Sequence, residues 1–313
     1  MAKSSKHLVD PELVSLLDLT SEVELNEQSL PAIRDGYMAQ IVGNAGEVRY
    51  TERFVENPKD KNEVRMLVYE PADRSEKKPL YFDIHGGGMV MGTPVMQDRA
   101  NVELINELNC VIVSVDYRLA PETPHPGPIE DCYMALKWAY DHADELNIDT
   151  TRIIVGGASA GGGLAASLAI LARDRGEVPI IFSDLILPML DDRTCLSEVN
   201  EYAGEFGWTR QNNRFGWTSL LGHGPGKDGV SPYAVPARVE DMTGLPPTLI
   251  AIGALDLFVD ESIDYATKLI RAGIPTELHV YPGLYHGGEK PDAHVIMQLK
   301  QDRIRALKRA FYG

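Results

Sequence analysis

Residues 153–168 read IIVGGASAGGGLAASL, so a β-branched apolar run, a glycine-rich turn and a helical stretch of small residues follow one another directly. The turn contains the pentapeptide GASAG at 157–161. In a strand–turn–helix context the central serine takes a strained backbone conformation, and small neighbours prevent clashes at the turn. The turn also sets Ser159 at a helix N-terminus, where the dipole favours developing negative charge. We interpret Ser159 as the candidate nucleophile; the alternative is a glycine-rich turn with an idle serine.

The rest of the chain repeats this alternation of short apolar runs with helical stretches. The runs cover residues 80–84, 111–115, 153–155, 185–187, 249–252 and 277–281, and the helical stretches lie near 95–108, 128–142, 161–174, 260–272 and 292–311. Such alternation is typical of a parallel sheet covered on both faces. Residues 47–56 and 64–70 alternate apolar and polar side chains, which indicates an antiparallel strand pair at one edge. The sequence therefore predicts an α/β fold with a mostly parallel sheet.

Two segments do not fit the alternation. Residues 10–45 have apolar side chains at roughly helical spacing, and residues 191–245 are rich in glycine and aromatic residues and too long for a plain connection. We predict a catalytic core of residues 46–190 and 246–313, N-terminal cap helices in 1–45 and a cap insertion in 191–245. A peripheral insertion without function is the alternative for the last segment.

A second motif, His85-Gly86-Gly87-Gly88, directly follows the apolar run 80–84. Consecutive glycines let backbone N–H groups approach a ligand closely, because no Cβ intervenes. The N–H groups of Gly86, Gly87 and Ala160 are therefore candidates for an oxyanion hole. The competing interpretation, a phosphate-binding loop, lacks the Walker lysine, and the glycine spacing does not match a dinucleotide fingerprint.

A serine hydroxyl needs a base, and the base needs a carboxylate to hold its tautomer. Of the eight histidines, His286 follows the last apolar run, and therefore lies at the carboxyl end of a strand, where α/β sites form. Asp256 follows the run 249–252 in the same way. Asp260 and Glu261 are rivals, although they open a helix, where acidic residues commonly act as caps. The chain order Ser, Asp, His is the one expected of an α/β-hydrolase.

Aromatic side chains of the insertion are candidates for a substrate pocket. Trp208, Phe215 and Trp217 lie there, and an acyl chain needs apolar surface. The alternative is that these aromatics pack in the core, which is the commoner fate of an aromatic residue in a helix.

Composition limits the partners and the compartment. The 313 residues carry a formal net charge of −16, which repels nucleic-acid phosphates and anionic membrane faces. We therefore expect neither nucleic-acid nor membrane partners. No 18 apolar residues run together, so no transmembrane helix is expected. Asp10-Pro11-Glu12 interrupt the N-terminal region, which argues against a signal peptide or anchor.

The cysteines indicate a reducing compartment. Cys110, Cys132 and Cys195 are odd in number, and none belongs to a CxxC pair or a zinc-like spacing. We therefore expect a cytoplasmic protein without a metal site.

Together these residues resemble the hormone-sensitive-lipase-like esterases, also called bacterial family IV. The resemblance covers residues from about 45 to the end, and its carrying segments are HGGG at 85–88, DYRLAPE at 116–122, GASAGG at 157–162, and then Asp256 and His286. It implies an α/β-hydrolase fold with an eight-stranded sheet, a helical cap, no cofactor, and short- to medium-chain acyl esters as substrates. It also implies frequent dimers, often through the edge strand near 277–281. Ala158 and Leu257 depart from the commonest family residues at their positions.

Two alternatives to an ester hydrolase stay open at this point. Plant gibberellin receptors resemble these esterases but have lost the catalytic histidine, so a small-molecule receptor is one alternative, although His286 is present here. The other is an amidase, thioesterase or peptidase that uses the same three residues, because the fold alone does not exclude it.

Overall fold

The computed structural model describes residues 4–17, 24–36, 49–58, 60–196 and 200–313. Its strands are β1 (Thr51–Glu56), β2 (Glu63–Tyr69), β3 (Lys78–Ile84), β4 (Val111–Asp116), β5 (Ile148–Ala158), β6 (Phe182–Ile186), β7 (Thr248–Gly253) and β8 (Thr276–Tyr281). Its helices are α1 (Val14–Leu17), α2 (described over residues 30–36), α3 (Asp98–Leu108), α4 (Gly127–Asp141), α5 (Ala160–Arg175), α6 (Arg210–Leu221), α7 (Val259–Arg271) and α8 (His294–Tyr312).

The eight strands form one sheet in the order β1-β2-β4-β3-β5-β6-β7-β8. The pairs β1–β2 and β2–β4 are antiparallel, and all pairs from β4–β3 to β7–β8 are parallel. The α/β-hydrolase fold with a mostly parallel eight-stranded sheet is thereby confirmed, including the antiparallel edge. At the other edge lies β8, where the predicted dimer contact would form; the oligomeric state stays a prediction.

The central strands are buried on both faces, which explains their continuous apolar runs. In β4, Val111, Val113 and Val115 pack into one hydrophobic cluster, whereas Ile112 packs into another on the opposite face. Helices α4, α5 and α7 contribute to the first cluster, and α3 with the C-terminal part of α8 contributes to the second. This layering brings the carboxyl ends of the parallel strands to one rim, where the loops that follow them can meet.

Two predicted elements differ from the structure. The apolar run 185–187 marks only the end of β6, which begins at Phe182, because the strand includes Ser183 and Asp184, polar residues that are nevertheless buried. Leu187 lies outside it, with a φ of 47° that breaks the extended conformation.

Residues 10–45 are predicted to be helical throughout, but the structure interrupts the helix. The described part contains the short α1 and the segment 30–36, and the intervening residues 24–29 form a loop and turn in which the Asn26 side chain accepts hydrogen bonds from the backbone of Gln28 and Ser29. Residues 18–23 and 37–45 of the prediction lie outside the described residues.

Candidate active site

The turn between β5 and α5 holds Ser159 in the conformation that the motif requires. Its φ of 57° and ψ of −122° are unusual for a residue with a side chain. The turn fits because its neighbours are small: a Cβ on Gly157 or on Gly161 would lie 2.4 or 2.0 Å from the carbonyl oxygen of Ile84. Larger residues at these positions would push the serine turn away from β3.

The backbone around the serine is fastened to the end of β6. The Ser159 N–H donates to the carbonyl of Ile186 at 2.8 Å, and its carbonyl accepts from the N–H of Met189 at 3.0 Å. Glu261, on α7, fixes the continuation of this loop, because its carboxylate accepts from the N–H of Leu190 at 2.6 Å. From its place in the sequence Glu261 is a rival to Asp256, whereas in the structure it holds the backbone of Leu190 instead.

Ser159, His286 and Asp256 form a continuous hydrogen-bonded chain. The Ser159 Oγ lies 2.9 Å from His286 Nε2, and His286 Nδ1 lies 2.7 Å from Asp256 Oδ2. The second oxygen of Asp256 accepts from the N–H of Phe258 at 2.9 Å, which fixes the carboxylate. The side chain of Asp256 is fully buried, whereas Asp260 is exposed on α7. The structure thus brings together the three residues that the sequence selected.

The environment of His286 shifts its pKa. Burial alone lowers the pKa, but the charge of Asp256 and the hydrogen bond to it, with a smaller effect from Glu289, outweigh burial and leave the pKa raised. The ring also meets the buried Phe258 edge-on, with centroids 5.1 Å apart. A carboxylate on one side and an aromatic ring on another hold the imidazole with its Nε2 toward the serine.

Residues 85–91, named the oxyanion loop after the oxyanion-hole candidates Gly86 and Gly87, lie directly against the serine turn. A Cβ on Gly86 would be 3.4 Å from the Ser159 Cβ, and a Cβ on Gly87, whose φ is 118°, would lie 2.0 Å from the carbonyl oxygen of Met91. Glycine is therefore required for the backbone to follow this path. The structure places the glycine loop and the N-terminus of α5 on adjacent sides of the serine.

A stacked pair supports the start of this loop. His85 is fully buried and packs on Tyr117, with ring centroids 4.2 Å apart and nearly parallel planes. The Tyr117 hydroxyl donates to the His85 carbonyl at 3.0 Å. Burial lowers the pKa of His85 to about 4, so the ring is neutral at pH 7. Nothing in the residues alone had assigned a structural role to Tyr117; the only signal was the DYRLAPE segment of the family resemblance.

The aromatic candidates lie in different surroundings. Trp208 reaches the site: its ring centroid is 6.3 Å from that of His286, and it occupies the space that a Cβ on Gly88 would need. Phe215 is half-buried, and Trp217 is fully buried with no exposed surface. Binding roles for these three residues stay predictions.

In the described part of the chain, no group of three or more histidine, cysteine, aspartate or glutamate residues is arranged to hold a metal ion. Among the same residues, no helix combines the length and apolar character needed to cross a membrane.

The chain is similar to known proteins over most of its length. The family model described as the alpha/beta hydrolase fold matches residues 81–289. Esterase LipI of Mycobacterium tuberculosis is 32% identical over 303 residues, covering 90% of this chain and 88% of its own. Carboxylesterase NlhH of the same species is 34% identical over 230 residues, covering 72% and 71%.

Solved structures are similar over nearly the whole chain. A bacterial heroin esterase superposes with a TM-score of 0.92 at 37% identity, covering 99% of this chain and 100% of its own. Esterase LipW from Mycobacterium marinum superposes with a TM-score of 0.89 at 32% identity, covering 98% of each chain.

Proposed function

This chain belongs to the hormone-sensitive-lipase-like esterase family of the α/β-hydrolase fold, and from that premise we propose that it hydrolyses short- to medium-chain acyl esters through Ser159, His286 and Asp256. Its similarity to several esterases makes it a serine carboxylesterase-type hydrolase. The observation that carries the proposed mechanism is the hydrogen-bonded chain from the Ser159 hydroxyl through both ring nitrogens of His286 to Asp256.

In the first step, Ser159 Oγ attacks the ester carbonyl carbon while His286 Nε2 takes the hydroxyl proton. The carbonyl oxygen becomes an oxyanion, and the N–H groups of Gly86, Gly87 and Ala160 stabilise it. Asp256 stabilises the positively charged imidazole that forms. The tetrahedral intermediate then collapses: the bond to the alcohol oxygen breaks, and His286 gives its proton to the leaving alcohol.

In the second step, water attacks the acyl-serine and His286 takes one of its protons. The same oxyanion hole holds the second tetrahedral intermediate. When it collapses, the ester bond to Ser159 breaks, the acid leaves and the proton returns to the Ser159 oxygen. Each group therefore ends in its starting state, and one ester and one water yield one acid and one alcohol.

We further propose that residues 1–45 and 191–245 together form a cap over this site. Hydrogen bonds between the two segments support this: the Leu25 N–H donates to Asn212 Oδ1 at 2.9 Å, and the Ser4 and Ser5 hydroxyls each donate to the Glu205 carboxylate at 2.6 Å. Trp208, which belongs to the insertion, would supply apolar surface for the acyl chain. This cap, built from two distant parts of the chain, would determine which substrates enter the site.

Hydrolysis of p-nitrophenyl butyrate tests the proposal. The Ser159→Ala variant should lose activity by about 10⁴-fold or more, because the covalent pathway is closed. Ser167→Ala is the matched control: this serine lies in α5 and is fully buried, two helical turns beyond Ser159, and the control should keep near-wild-type activity. Equal rates for wild type and Ser159→Ala would favour the receptor alternative.

The substrate alternative needs a second measurement. A panel of esters, thioesters and anilides with the same acyl chain separates an esterase from a thioesterase or amidase. We expect the highest kcat/KM for the esters; a clear preference for either of the other classes would contradict the ester assignment while leaving the three catalytic residues in place.

A further inference from the structure

Arg34, on helix α2, reaches from the N-terminal segment into the core beside the active site. Its Nε donates to the carbonyl of Val90 at 2.7 Å, and its Nη2 donates to the carbonyl of Ala120 at 2.9 Å. The same guanidinium forms a two-pronged ion pair with Glu122, at 2.7 and 2.9 Å. One side chain thus binds three different residues of the core.

The two carbonyls belong to segments that hold the oxyanion loop. Within the loop, the N–H groups of Val90 and Met91 both donate to the Gly87 carbonyl, at 3.1 and 3.0 Å. The N–H of Ala120 donates to the carbonyl of Met89 at 2.9 Å and so joins the loop to the segment 116–122. Arg34 binds on both sides of this connection, because its two acceptors are the carbonyl of Val90, which follows Met89, and the carbonyl of Ala120.

The energetics favour a rigid arrangement. Val90 and Ala120 are both fully buried, and hydrogen bonds from a charged donor are stronger than those between neutral groups. The side chain of Glu122 is 62% exposed, so its ion pair with Arg34 is screened by water and contributes less. The hydrogen bonds to the two carbonyls therefore account for most of the contribution of Arg34 to holding the loop in place.

We propose that Arg34 is a positioning residue that makes the geometry of the oxyanion hole depend on the docking of helix α2. The inference rests on the proposed function, in which the N–H groups of Gly86 and Gly87 stabilise the oxyanion. Without Arg34, residues 89–91 lose a fixed anchor. The N–H groups of Gly86 and Gly87, which precede them, are then no longer held in position to donate to the oxyanion. Because small misplacements of catalytic groups reduce rates strongly, the effect falls on the chemical step.

Steady-state kinetics combined with a transition-state analogue tests this. A butyl trifluoromethyl ketone adds to Ser159 Oγ, whose proton passes to His286, and the resulting hemiketal oxyanion occupies the oxyanion hole. In Arg34→Ala, kcat for p-nitrophenyl butyrate should fall about 10-fold and the inhibition constant of the ketone should rise by a similar factor, with KM changed by less than about twofold.

Two control variants separate this effect from the loss of any surface ion pair. Arg152 binds the Asp149 carboxylate at 2.6 Å and the Lys77 carbonyl at 3.3 Å, at the far end of β5 from Ser159. Arg152→Ala should leave both kcat and the inhibition constant at wild-type values. Glu122→Gln keeps the two carbonyl bonds of Arg34, and should therefore change kcat much less than Arg34→Ala does.

The outcomes are distinct. Unchanged kcat and inhibition constant in folded Arg34→Ala, or a change in KM alone, overturn the proposal. If Arg34→Ala does not fold, Arg34→Lys decides: a single ammonium keeps the charge but cannot reproduce the planar fork in which Nε and Nη2 meet separate carbonyls, so a lowered kcat at a wild-type Tm supports the proposal, and a wild-type kcat overturns it. Equal rates for wild type and Ser159→Ala would instead contradict the proposed function itself.

Discussion

At the scale of single residues, the site depends on the two ring nitrogens of His286 having different partners. Nδ1 faces the Asp256 carboxylate at 2.7 Å and Nε2 faces the Ser159 hydroxyl at 2.9 Å. A carboxylate accepts but does not donate, so Nδ1 carries the proton and Nε2 is free to accept one. The buried Asp256 thus determines both the tautomer and the direction in which the pKa of His286 is shifted.

Asp256→Asn should lower kcat strongly. The amide keeps the size of the side chain but can donate to Nδ1, which favours the wrong tautomer; in a serine protease the same change costs about 10⁴-fold. Measuring kcat for p-nitrophenyl butyrate checks this. Asp260→Asn is the matched control, since Asp260 is exposed on the same segment, and it should retain wild-type activity. The assignment of Asp256 is wrong if the two variants lose activity equally.

The pH profile should show an acidic limb governed by His286. The base must be neutral, so kcat/KM falls as the pH drops below its pKa, and the raised pKa places this limb above the ordinary value of about 6.5. In Asp256→Asn the negative charge is lost, and the midpoint of the residual activity should move to lower pH. A limb that stays in place in the variant would show that another group titrates.

At the scale of elements, His286 is held by a neighbouring loop as well as by its own. Residues 200–209 pack against it so closely that a Cβ on Gly207 would lie 1.6 Å from the His286 carbonyl oxygen. Close by, the N–H of Gly204 donates to the carbonyl of Leu255, next to Asp256, at 3.0 Å. The loop that carries Trp208 therefore contacts the segments of both Asp256 and His286.

Gly207→Ala should reduce activity through this contact. The added methyl group displaces the His286 backbone, and a misplacement of about 1 Å can cost about 10²-fold in rate. Gly222→Ala is a matched control: its φ of 70° is close to the 71° of Gly207, but a Cβ there meets nothing within 4 Å. Both variants carry similar backbone strain, so kcat/KM should fall only in Gly207→Ala. An equal fall in both would show that strain alone, without displacement of His286, explains the loss.

At the scale of the whole molecule, a buried polar bridge joins the sheet to the last helix, on the face that packs against α3 and α8. Arg303 of α8 donates to the carboxylate of Asp184 in β6 at 2.7 Å and to the hydroxyl of Tyr81 in β3 at 2.7 Å. Tyr81 donates in turn to Asp184 at 2.9 Å. Asp184 is fully buried, and Arg303 is the cation paired with it there.

Arg303→Ala should therefore destabilise the fold without altering the chemistry. Leaving a buried carboxylate without its cation costs about 3 kcal/mol of unfolding free energy. Arg305, two residues along the same helix, pairs with Asp302 but its side chain is 60% exposed, so Arg305→Ala should cost less than about 1 kcal/mol. Urea unfolding measures both. Comparable losses would mean that the bridge contributes no more than a surface ion pair.

Much of the fold and site was accessible from the sequence because the signals are local. The runs at 80–84, 111–115 and 249–252 identify buried parallel strands by composition alone, and the observed strands contain them. The start of strand β6 was harder to predict, since Ser183 and Asp184 are buried although they are polar. The burial of Asp184 depends on Tyr81 and Arg303, which come from distant segments that no local window contains.

The amino-acid sequence by itself determined the order of the elements, the serine turn, the glycine loop and the selection of Ser159, Asp256 and His286. Each rests on residues that are close together in the chain and on the rule that parallel strands end at one rim. Only the tertiary structure decided how the N-terminal segment and residues 200–212 meet that rim, through Arg34, Gly207 and Trp208. Those contacts join residues far apart in sequence, and their geometry follows from packing and register rather than from any pattern along the chain.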